Sequence, residues 1–101
     1  MSRPFSYSDE NFTVIGNVVF VHVFTGQVQP AQEIVEIPYE IGRRLLYKSA
    51  MGFLQPVDGV ANQGYQFNGI VMYKDGKYYL STRTAINLSY YATAFLILKD
   101  I

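Results

Sequence analysis

Asn68-Gly69-Ile70-Val71-Met72-Tyr73-Lys74-Asp75-Gly76-Lys77-Tyr78-Tyr79-Leu80-Ser81-Thr82 is the stretch that decides the fold class. Two runs rich in β-branched and aromatic residues, 70–73 and 77–80, flank Lys74-Asp75-Gly76, and Asp-Gly tolerates the positive φ angles of a tight primed hairpin turn. An antiparallel pair of strands is the direct expectation. Asn68-Gly69 adds a second turn or a bulge just before it.

Working outward, the same chemistry recurs. Residues 12–24, Phe-Thr-Val-Ile-Gly-Asn-Val-Val-Phe-Val-His-Val-Phe, read as two short strands or one bent strand, with Gly16-Asn17 at the bend. In 18–24 one face carries Val19, Val21 and Val23, and the other Val18, Phe20, His22 and Phe24. Both faces are therefore apolar, as in a strand inside a packed sandwich or against another subunit. A loop over 25–30 precedes a strand over 32–37, where Val35 and Ile37 face one way and Glu36 the other, and Pro38 ends that strand or puts it at an edge. Pro38 could also start a short helix carrying Ile41 and Leu45, but Gly42 inside it and the lack of a good cap argue against one. Residues 45–47 and 51–54 read as short strands, and 55–64, with Pro56, Asp58-Gly59 and Asn62-Gln63-Gly64, as the principal loop. The closing segment 90–98 has helix-compatible spacing, but Tyr, Thr, Phe and Ile dominate it and favour a strand. About eight short strands with turns every 8 to 12 residues predict an all-β, antiparallel β-sandwich over residues 12–101. Residues 1–11, polar and holding Pro4, read as a flexible N-terminal arm, disordered or tied to a neighbouring subunit.

Composition narrows the function. The chain has 101 residues, a formal net charge of zero from eight basic and eight acidic residues, and no cysteine. One domain of this size leaves little structure for a catalytic apparatus, and a neutral chain lacks the basic footprint of a duplex-DNA or anionic-membrane binder. Without cysteine there is no disulfide, thiolate metal site or cysteine nucleophile. Neither a signal peptide nor a run of ~20 apolar residues is present, so no membrane insertion is expected. What the chain has in excess is tyrosine and phenylalanine, nine and seven, with no tryptophan.

Catalytic templates fare poorly against these residues. A hydroxyl nucleophile needs a histidine base, and the one histidine, His22, sits in a valine-rich strand where it reads as a packed or interface residue with little access to solvent. Glu33, Glu36 and Glu40 could pair as acid and base, but carboxylates on a solvated face are far commoner. No catalytic residue, metal site or cofactor is expected. Arg43-Arg44 with Lys48 is the only basic cluster, which gives a single-strand nucleic-acid reading little support. Ligand recognition without catalysis fits better, because tyrosine joins a flat apolar face to a polar tip and amides both donate and accept, a pairing suited to saccharides. Those classes meet in Asn62, Gln63, Tyr65 and Gln66, with Asp58 nearby in sequence, against the commoner reading of Tyr65 as core and the amides as ordinary loop residues.

The order of elements, a valine-rich strand, a polar loop, Gln32-Glu33-Ile34-Val35-Glu36-Ile37-Pro38-Tyr39, a Gly- and Pro-punctuated middle, the 68–82 hairpin and an aromatic final strand, resembles the β-sandwich domains of tailed-phage tail fibres and receptor-binding proteins, particularly of phages infecting Gram-positive bacteria. The pattern spans roughly residues 17–99. The resemblance implies a jelly-roll-like sandwich, a possible homotrimer, located in the virion after synthesis in the host cytoplasm. It implies a non-enzymatic binding or adaptor role, with other tail proteins or host cell-wall saccharide as partners. A structural or assembly protein acting only through subunit interfaces is the alternative. Family members carry a coiled-coil or interlaced stem, and this sequence has no stem heptads.

Overall fold

The computed structural model describes residues 5–57 and 64–99. Seven strands form: β1 (Phe12–Ile15), β2 (Val18–Thr25), β3 (Val35–Ile37), β4 (Ser49–Pro56), β5 (Tyr65–Lys74), β6 (Lys77–Thr82) and β7 (Tyr90–Ile97). All pair antiparallel in one continuous sheet of order β1-β2-β7-β4-β5-β6-β3 that curls over its own core. The all-β antiparallel expectation therefore holds, with seven strands. The 68–82 stretch closes as expected, since Lys74 pairs with Lys77 and the two residues between them have positive φ, 53° at Asp75 and 79° at Gly76. Gly16 (φ 63°) turns β1 into β2, so residues 12–24 are two strands.

Curling explains which side chains lie inside. Val19, Val21 and Val23 of β2 are buried with Ala92, Ala94 and Leu96 of β7 and with Leu54, Phe67 and Leu80. The central inward positions are small, because the concave side of a bent sheet has less room than the convex side. A Cβ on Gly52 would run into the Thr93 backbone carbonyl, and one on Gly69 would lie 2.7 Å from the Phe67 ring. Phe67 fills the space these small residues leave and is fully buried.

Three expectations need correction. A short helix, α1 (Tyr39–Gly42), does follow Pro38, although no side chain caps it. Burial offsets the weak local signal: Ile41 and Gly42 pack inward, and a Cβ on Gly42 would clash with the Tyr78 ring. Residues 51–54 belong to a longer strand, β4, while Leu45 makes only an isolated bridge to Leu98. His22 is exposed, because its parity on β2 points away from the core. The arm, over its described residues, folds back on its own domain. Ser8 bridges Thr13, and Phe5 and Tyr7 pack on the core. Asp9 Oδ1 accepts the Asn11 and Phe12 amides, both at 2.8 Å. Partial burial pushes the Asp9 carboxyl up, but those amides and the Tyr7 hydroxyl hold it below the ordinary carboxylate value, while Tyr7, donating to Asp9, is raised.

Candidate functional site

The outward face of β1, β2, β7, β4 and β5 is where sequence and geometry converge. Register places its side chains in rows across the sheet. One row runs Thr13, Phe20, Phe95, Met51, Asn68, the next His22, Thr93, Phe53, Gln66, and a third Phe24, Tyr91, Gln55. Cross-strand aromatic pairs stiffen it. Phe20 meets Phe95 edge-on at 5.3 Å, Phe24 meets Tyr91 at 5.8 Å, and His22 lies parallel to Tyr91 at 5.4 Å. His22 Nδ1 and Thr93 Oγ1 are 3.1 Å apart, in a hydrogen bond whose donor depends on the imidazole tautomer.

Most of the apolar side chains on this face are open to solvent: Met51 is 65 % exposed, Phe53 60 % and Phe24 54 %, while Phe95 is half-buried. Not one residue of β1, β2, β4 or β7 is Asp, Glu, Lys or Arg. A shallow hollow of about 470 Å³ lies on the β4–β5 side, lined by Met51, Gly52, Phe53, Gly64, Tyr65, Gln66 and Phe95. That volume is within the range of small-ligand pockets.

The five residues expected at a ligand site divide. Tyr65 and Gln66 are exposed and border the hollow; Asp58, Asn62 and Gln63 lie outside the described residues. Tyr65 registers with buried Leu54, and its ring meets Tyr90 edge-on at 5.9 Å. Gln66 registers with Phe53 and donates to Asn68 Oδ1 at 3.3 Å. Sequence reasoning missed Met51, Phe53, Phe95 and Tyr91 as surface residues. The signal was present in the apolar character of both faces of β2, which demands a second covering layer for one of them.

The other chemical readings meet different geometry. Glu33 lies 3.7 Å from Lys74, and Glu36 4.0 Å from Lys77, all four side chains exposed. Glu40 receives Arg44 at 2.8 Å and Arg43 at 3.2 Å, so the two arginines of the basic cluster share one carboxylate. Arg44 also stacks over the Phe5 ring, 4.1 Å from its centroid. Among the described residues no group of three or more His, Cys, Asp or Glu could hold a metal ion. No helix among them is long and apolar enough to cross a membrane. Comparison of the chain with protein-family models, with curated proteins and with solved structures gives no match in any of the three.

Proposed function

We propose that this chain is a non-enzymatic binding or adaptor module of a phage virion or tail, and that its working surface is the charge-free aromatic face. The observation that supports the reading is the contiguity of exposed Phe20, Phe24, Met51, Phe53 and Tyr91 on one sheet surface. Folded monomers rarely leave large contiguous apolar patches in water, and such patches mark contact surfaces. The phage assignment comes from the resemblance of the element order and hairpin to tail-fibre domains; its partners are other tail proteins or host surface saccharide. Gene neighbourhood tests the placement: flanking tail or capsid genes support it, and flanking metabolic genes with no phage genes overturn it.

Saccharide recognition is the second reading, favoured by the hollow in which aromatic Phe53 and Phe95 stand beside the Gln66 amide. A glycan array and a titration with purified Gram-positive wall polysaccharide test it. Saturable binding that weakens in Gln66→Ala and Phe53→Ala supports it. No binding in either assay removes it and leaves the adaptor role.

A further inference from the structure

We propose that the aromatic face is the contact between two copies of this chain, packed sheet on sheet about a two-fold axis running along β7. The inference rests on the face being the working surface, and it names the first partner on it.

Charge supplies the first argument. Along β1, β2, β4 and β7 the face offers no Asp, Glu, Lys or Arg to steer a charged partner, β5 alone ends in one, Lys74, and the whole chain has a formal net charge of zero, so two copies meet without net repulsion. Burying its β1, β2, β4 and β7 part desolvates no carboxylate, ammonium or guanidinium, and the polar groups within the face include the Thr93 hydroxyl, the His22 imidazole and the Gln55 and Gln66 amides.

Shape supplies the second. On one side of β7, the β2 rings Phe20 and Phe24 form a ridge; on the other, the β4–β5 side holds the hollow beside Met51 and Phe53. A two-fold along β7 exchanges these sides, so the ridge of each copy lies over the hollow of the other. An isologous interface needs both halves of the fit on one surface, and this surface has them. Four strands of eight or more residues, at ~4.8 Å spacing and ~3.4 Å per residue, with the four-residue β1 beside them, cover on the order of 450 Å² in projection before side-chain relief is counted. That is more than half of the ~800 Å² of accessible surface each partner gives to a standard stable interface.

The sheet edges supply the third. Strand addition at β1 is blocked by the arm, whose Ser8 bridges Thr13 and whose Tyr7 carbonyl accepts the Val14 amide at 2.9 Å. β3 at the other edge has only three residues, with Glu36 in its centre and Pro38 just beyond it. Face-on packing is left as the route for association.

Sedimentation velocity of the full chain over a dilution series tests the proposal. The wild-type chain is expected to sediment as a dimer at high concentration and to dissociate on dilution. Phe53→Glu and Phe24→Glu are expected to be monomers with an unchanged far-ultraviolet circular dichroism spectrum. Gln55→Glu, which replaces an exposed polar residue on the same face and leaves the core alone, is expected to weaken the dimer at least tenfold. Tyr73→Glu, on the hairpin away from the face, keeps the dimer. A strictly monomeric or trimeric wild type overturns the two-fold pair, as does a dimer indifferent to both Phe53→Glu and Gln55→Glu. Polysaccharide titration of the same samples separates the two failures. A monomer that binds and loses binding in Phe53→Glu overturns the pair but keeps the face as working surface; a monomer in which Phe53→Glu changes no binding overturns both.

Discussion

The aromatic face and the end of the molecule formed by β3, α1 and the β5–β6 turn solve the same exposure problem in opposite ways. Both display large side chains to water. At the β3 end Tyr78 contacts both Tyr39 and Tyr73 among ion pairs, Glu33 with Lys74, Glu36 with Lys77 and Glu40 with Arg43 and Arg44. On the face of β2, β7 and β4 the rings stand without a single charged residue. A chain whose overall charge is zero is thus divided into a charge-rich end and a charge-free face. The difference teaches that neutrality of a sequence says little about the neutrality of its surfaces: the charged end is finished in water, and the face is waiting for a cover.

Mutations can break this contrast or sharpen it. The largest effect is expected where the two regions share support. Phe67 lies on β5, which pairs with β4 on one side and β6 on the other, and Phe67→Ala is expected to cost about 3–5 kcal/mol in urea unfolding, with both regions lost in one transition. Two separate transitions would show that the regions fold independently. Gly52→Ala comes next. Its Cβ meets the Thr93 carbonyl, so β4 and β7 must move apart, and about 1–3 kcal/mol of stability is expected to be lost together with part of the outward rows. By contrast Phe53→Ala, from the exposed side of the same strand, is expected to leave monomer stability within ~1 kcal/mol.

Smaller effects belong to the charged end. Ala31 holds a left-handed φ of 65° while its amide donates to the Thr82 carbonyl at 3.1 Å, so Ala31→Gly is expected to raise stability by about 0.5–1 kcal/mol in thermal melting. A lower melting temperature would show that the strain is absent. The smallest effect involves Glu40, whose carboxyl the Arg44 hydrogen bond, with the Arg43 charge, holds below its ordinary value. Because the folded chain depresses this group, its contribution is complete above the unfolded carboxylate value and is lost as pH falls through the folded one. Wild type is therefore expected to melt slightly above Glu40→Gln at neutral pH, with the gap closing in acid and in high salt. A gap that persists in acid sinks the ion-pair account.

Much of this structure was legible in residues. The turn at Asp75-Gly76 was readable because few dipeptides accept two consecutive positive φ angles, and β7 because its aromatic and β-branched content outweighs its helical spacing. Tyr65 and Gln66 were readable as a polar–aromatic pair suited to a ligand, though not as exposed, nor as the border of a hollow whose other walls include β4 and β7. Helix α1 was hidden, since a single turn without a cap exists only because Ile41 and Gly42 find Tyr78 and the core.

By itself, then, the sequence determined an all-β antiparallel chain, its principal hairpin and its lack of charge along four strands, because these depend on local backbone preference and composition. Only the tertiary structure decided which apolar face of β2 is core and which is surface. A period of two separates Val19, Val21 and Val23 from Phe20, His22 and Phe24 without ranking them. The direction of curl ranks them, placing the small partners Ala92, Ala94 and Gly52 on the concave side and the large rings on the convex side, in water, where another surface can meet them.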